Sequence, residues 1–252
     1  MRFKPISGWL LIGLTAATGA QPAPEPAPPA AEQPAKALQD AQLETLAFDG
    51  GRFVIARAAS NDCVVALQGL VTTAATHRFD DVVKAAAAQG CRSPMTLLLE
   101  SPGGSHFDGL RLGRQVRYEG MRTVARYECA SACATIFMGG VERTLWGSRA
   151  AIGLHQIAEV RGSAAVADGW CVQSGDSLAA LELRKYLRFV IPAAAERIYR
   201  IVMTTSCKSI DWVTGSRALE LGLATKVEAE GVDVFGPKEL RRETTPDPPQ
   251  KP

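Results

Sequence analysis

The chain has 252 residues, a formal net charge of +2 with 28 Lys and Arg against 26 Asp and Glu, and 46% hydrophobic residues. The charges are interspersed and form no basic stripe that could track a phosphate backbone, so no nucleic-acid partner is expected. Six cysteines, at 63, 91, 129, 133, 171 and 207, without a CxxC spacing, point to disulfides in an oxidising compartment rather than to a metal or redox site.

Arg2 and Lys4 precede the apolar run Trp9-Leu10-Leu11-Ile12-Gly13-Leu14, and Thr18-Gly19-Ala20 supplies the small residues that a signal peptidase needs. Residues 1–20 are therefore expected to be a cleaved signal peptide, which places the protein in the periplasm or outside the cell. The apolar stretch from Ile6 to Ala20 falls short of the roughly 20 residues that span a bilayer, so no stable membrane anchor is expected after processing. Residues 21–45, rich in Pro and Ala, read as an extended spacer. One domain is expected over residues 46–235, and the polar, proline-rich residues 236–252 read as a disordered tail.

Within the domain, Val64 to Val71 is an almost continuous apolar run, as in a strand covered on both faces. Phe79, Val82, Val83 and Ala86 follow at helical spacing. Met95 to Glu100 forms a second strand stopped by Pro102-Gly103-Gly104; a helix with Phe107, Leu110 and Val116 runs to Gly120, and Thr123 to Tyr127 is a third strand. This alternation predicts an α/β fold whose mainly parallel sheet is joined by crossover helices. Arg143–Trp146 and Ala151–His155 read as short strands, and helices are predicted over 178–190 and 193–202, separated by Pro192. A short helix over 216–221 and a terminal strand over 223–227 complete the order.

Ligands collect at the carboxyl ends of parallel strands, and two motifs sit there. Gly103-Gly104 can bring backbone N–H groups close to a ligand. Ser131, in Cys129-Ala130-Ser131-Ala132-Cys133-Ala134, stands between alanines at a strand-to-helix junction, where it either caps the helix or presents its hydroxyl to a cleft. His155 ends the run Ala151-Ile152-Gly153-Leu154 and is a candidate general base. The three histidines, His77, His106 and His155, show no ligand spacing with the cysteines, so neither a metal nor another cofactor is expected.

Taken in order, Ser101-Pro102-Gly103-Gly104, Cys129-Ala130-Ser131-Ala132-Cys133 and Ile152-Gly153-Leu154-His155-Gln156 resemble the motifs of the Clp protease proteolytic subunit, in an exported branch of the ClpP/crotonase-like superfamily. The resemblance implies Ser131 as nucleophile, His155 as base, and the N–H groups of Gly104 and Ala132 as oxyanion hole. It also implies a serine peptidase acting on peptides or unfolded protein, assembled as a homo-oligomer. The third triad position of that family falls on Ile210, with Asp211 one residue late; Asp211 is the candidate orienter, Asp168 and Asp176 are alternatives, and a Ser-His dyad is another. The competing reading is a catalytically inactive peptide- or partner-binding module; a crotonase-type acyl-CoA enzyme is disfavoured, since it uses no Ser-His pair. Cys63 with Cys91, at the borders of neighbouring elements, is the foremost disulfide, Cys171 with Cys207 a second. Cys129 and Cys133, one helical turn apart, are near enough but poorly directed.

Overall fold

The computed structural model describes residues 42–57, 63–159, 170–171 and 174–228. Residues 1–20 and most of 21–45, expected to be signal and spacer, residues 236–252, expected to be a tail, and Asp168 lie outside the described residues. Among the described residues no helix is long and apolar enough to cross a membrane.

A hairpin opens the fold: β1 (Gln42–Phe48) and β2 (Gly51–Arg57) pair antiparallel around Asp49-Gly50, with Gly50 at φ 97°, a left-handed backbone that glycine adopts without strain. β3 (Cys63–Gly69) pairs antiparallel with β2. From β3 onward the sheet becomes parallel: β4 (Thr96–Ser101), β5 (Arg122–Ala130) and β6 (Arg143–Trp146) follow side by side. The connections are helices α1 (Thr73–Ala88), α2 (His106–Tyr118) and α3 (Ala132–Gly139).

β5 has two partners on one edge. Thr123–Ala125 pair with β6, and Glu128–Ala130 pair with β7 (Ala151–Leu154), also parallel. Beyond these lie a two-stranded piece of β8 (Ala158–Glu159) and β9 (Trp170–Cys171), then α4 (Leu178–Val190) and α5 (Ala195–Thr204). β10 (Asp211–Val213) returns antiparallel to β7, a short α6 (Gly215–Glu220) follows, and β11 (Lys226–Glu228) closes the sheet parallel to β6. The α/β expectation stands: the sheet is parallel at its centre, with antiparallel pairs β1–β2, β2–β3 and β7–β10. β1 and β2 are joined by two residues, a connection open to an antiparallel pair and closed to a parallel one. β1 also begins at Gln42, inside the stretch read as spacer.

Strand alternation divides the apolar residues between two faces. Phe53, Ile55, Val65, Leu67, Leu97 and Leu99 join the main core with the helices, whereas Val54, Ala56, Val64, Ala66, Leu98, Val124 and Trp146 form a smaller buried cluster. That double burial is why β3 and β4 read as unbroken apolar runs.

Three disulfides are formed: Cys63–Cys91, Cys129–Cys133 and Cys171–Cys207. The first ties the start of β3 to the chain just past α1, and the second spans the end of β5 and the first turn of α3. α2 and α3 approach so closely that a Cβ on Gly109 would sit 2.9 Å from both Cβ and the carbonyl of Ala132, and one on Gly139 would strike the Gly113 carbonyl. The buried Tyr186 of α4 donates its hydroxyl hydrogen to the Thr135 carbonyl at 2.8 Å. Burial raises the phenol well above its ordinary range, so it stays a donor. Together these contacts fix α3, and with it Ser131.

Candidate active site

Ser131 is the one non-glycine residue at positive φ among the described residues, with φ 57° and ψ −121°. An L-residue there is strained by Cβ against its own backbone, and such conformations persist only where the surroundings over-determine them. The surroundings here are specific. The Ser131 N–H donates to the Gly153 carbonyl at 2.9 Å, its own carbonyl accepts from Thr135 N–H, and the Cys129–Cys133 disulfide closes a ring around it. The bland alternative for Ser131, a helix cap, does not hold, because its side chain makes no capping hydrogen bond to α3.

The glycine turn lies directly against this residue. Gly103 has φ 105°, and a Cβ added to it would lie 2.7 Å from Ser131 Cβ and 3.1 Å from Ala132 N. The buried Ser101 hydroxyl accepts the Gly103 N–H at 3.0 Å, shaping the turn. Val71 then brackets Gly104: its N–H donates to the Gly103 carbonyl and its carbonyl accepts from Ser105, both at 2.8 Å. In a parallel bridge of this kind the bracketed residue turns its own N–H to the other side. Among the described residues the Gly104 N–H finds no backbone acceptor there, and Ala132, at the first helical position, has no intrahelical acceptor for its own.

β7 brings in the third element. Pairing Ala130 with Gly153 sets the chain after Gly153 beside Ser131, and glycine is needed because a Cβ would lie 2.8–2.9 Å from Ile210, Ala130 and Trp212. Ser131, His155, Gly104 and Ala132 all line one cavity of about 310 Å³, whose remaining wall is mostly apolar, with Met138, Leu183 and Val202 among it. Ser131 and His155 are partly buried and share no hydrogen bond. The His155 Nδ1 lies 2.7 Å from the Gln156 carbonyl.

Asp211 is placed differently from an orienter of His155. It pairs across the strands with Leu154, one residue short of His155, and its carboxylate is held by both terminal nitrogens of Arg217 at 2.6 and 2.7 Å. Those hydrogen bonds lower its pKa. Asp176 sits in the exposed turn before α4 with its N–H on the Ser174 hydroxyl. The structure thus gathers Ser131, His155, Gly104 and Ala132, and leaves Asp211 bound elsewhere.

His106 was not singled out from the sequence as a site residue, yet it lines the same cavity. Its Nε2 lies 3.2 Å from the Ala179 carbonyl, and burial lowers its pKa more than this hydrogen bond raises it. The signal for it was its position two residues past Gly104, at the start of the helix that the glycine turn feeds. Arg217 and the anchoring of Gln156 had no such signal. Among the described residues no group of three or more His, Cys, Asp or Glu side chains could hold a metal ion.

No family model matches the chain, and no curated protein matches it in sequence. Among solved structures the chain is similar to ClpP1 from Listeria monocytogenes, with 14% identity, a TM-score of 0.49, and coverage of 68% of this chain and 94% of that one. A likeness at that level assigns no role to any residue.

Proposed function

We propose that the cavity is the active site of an exported serine hydrolase of the peptidase type, with Ser131 as nucleophile. The observation that carries the reading is the positive φ of Ser131 at the junction of β5 and α3. A strained strand-to-helix turn is how a nucleophilic serine is held out from the sheet with its hydroxyl free. In this reading Ser131 Oγ attacks the carbonyl carbon of a peptide or ester while His155 Nε2 takes its proton. The oxyanion that forms accepts hydrogen bonds from the Gly104 and Ala132 N–H groups. His155 then gives the proton to the leaving amine or alcohol, and water, activated by the same imidazole, releases the acyl group from Ser131.

The largely apolar cavity wall supports a peptide or unfolded protein as substrate. The three disulfides support the periplasmic or secreted location, and with it cleavage of residues 1–20 ahead of a spacer. Leu178, Leu181 and Phe189 are exposed on α4, an apolar surface of the kind a second copy covers, which supports a homo-oligomer.

The test is labelling of the full mature chain by a fluorophosphonate. The wild type should be labelled at Ser131 and Ser131→Ala should not. A second reading, a peptide-binding module without turnover, is favoured by the missing Ser131–His155 hydrogen bond and by the Asp211–Arg217 pair. Peptide binding by a wild type that takes up no probe would establish it and end the hydrolase reading.

A further inference from the structure

A serine–histidine pair needs its imidazole held with Nε2 unprotonated toward the nucleophile, and that requires an acceptor on Nδ1. We infer that in this chain the acceptor is the main-chain carbonyl of Gln156, and that Gln156 is the positioning residue for His155 in place of an aspartate. The inference rests on the hydrolase reading for its activity arm and on geometry for the rest.

Three observations carry it. First, the Gln156 carbonyl lies 2.7 Å from His155 Nδ1; a carbonyl only accepts, so Nδ1 carries the hydrogen and the neutral ring leaves Nε2 bare. Second, Gln156 is itself clamped: its N–H donates to the Thr205 carbonyl at 2.8 Å and its side-chain Nε2 to the Met203 carbonyl at 2.6 Å. Both acceptors belong to the C-terminal end of α5, where carbonyls have no intrahelical partner and are free to receive them. Third, the carboxylate of Asp211 is spoken for, since Arg217 holds both of its oxygens and the register of β10 sets Asp211 opposite Leu154. A neutral carbonyl orients the ring as a carboxylate does but stabilises the imidazolium less. The arrangement therefore gives the correct tautomer without a carboxylate beside the ring.

The experiment compares wild type, Gln156→Ala and Asp211→Asn in the full mature chain by two readouts. Nitrogen-15 NMR of labelled histidine reports which His155 ring nitrogen is protonated, independently of any turnover. Wild type and Asp211→Asn should both show hydrogen on Nδ1 and a bare Nε2, and Gln156→Ala should show a mixture of tautomers. The rate of fluorophosphonate acylation at saturating probe should fall about tenfold in Gln156→Ala with the half-saturating probe concentration unchanged, and stay within about twofold in Asp211→Asn. Hydrogen on Nε2 in wild type, or a tenfold loss in Asp211→Asn with none in Gln156→Ala, would overturn the inference. Absence of labelling in wild type would sink the hydrolase reading alone, because the tautomer measurement still decides whether Gln156 orients the ring.

Discussion

Replacing Ser131 by glycine and by alanine separates backbone strain from side-chain chemistry at one atom's difference. Ser131 holds φ 57° and ψ −121°, a conformation that costs an L-residue about 1–3 kcal/mol and glycine almost nothing. Alanine keeps the Cβ and hence the strain, and because the hydroxyl caps nothing, Ser131→Ala should leave stability within about 0.5 kcal/mol. Glycine releases the strain but gives the unfolded chain about 0.5–1 kcal/mol more conformational freedom, so the net gain of Ser131→Gly over Ser131→Ala is about 1 kcal/mol. Urea unfolding with a shared slope should register this as a higher midpoint, and melting as a rise of a few degrees for a domain of this size. Both variants should lose probe labelling. A glycine variant no more stable than the alanine variant would mean that the turn stores no strain, and the argument from positive φ to a presented nucleophile would fail with it.

The disulfides should divide their effects. By loop-closure entropy, losing Cys63–Cys91, which closes a separation of 28 residues, costs about 3.5 kcal/mol, and losing Cys129–Cys133, with a separation of 4, about 2 kcal/mol. Double alanine variants followed by urea unfolding and probe labelling should therefore rank the first as more destabilised and the second as slower to label; the reverse ranking in labelling would show that the ring around Ser131 does not hold it. Gly104→Val should remove labelling while the protein still folds cooperatively, since φ 147° and the abutting Val71 carbonyl force the turn to shift and carry the N–H away; full activity would remove Gly104 from the oxyanion hole. Burial lowers the His106 pKa in the folded protein, so as pH falls below about 6.5 the unfolded chain takes up a proton that the folded one refuses, and stability drops until the folded pKa is passed. His106→Gln should flatten unfolding midpoints measured between pH 7 and pH 5, and an unchanged slope would count against this burial.

Much of the architecture was legible because local pattern and burial agree. β3 and β4 are buried on both faces and α4 follows the predicted limits Leu178–Val190, so periodicity and unbroken apolar runs were sufficient. The hairpin β1–β2 was missed: its first strand is exposed along most of its length and borders a proline-rich stretch, so no buried face marks it in the pattern of residues. The glycine turn, Ser131 and His155 could be read as three separate signals, since each has a local reason for its residue type.

What joined them was not local. The distance from Gly103 to Ser131 depends on the order of β4 beside β5, and the approach of His155 depends on β7 replacing β6 along the second half of β5. The torsion of Ser131 is imposed by contacts from β7 and the neighbouring turns, and no sequence pattern specifies a positive φ for serine. The partner of Asp211 was decided in the same way: the one-residue offset from Ile210 is visible in the sequence, but only the antiparallel register of β10 and the reach of Arg217 from α6 turn that offset into a carboxylate bound away from His155. The sequence by itself determined which residue types can do chemistry and on which elements they ride. Only the tertiary structure, through strand order and register, decided which of them share a cavity, because those contacts join residues far apart in the chain.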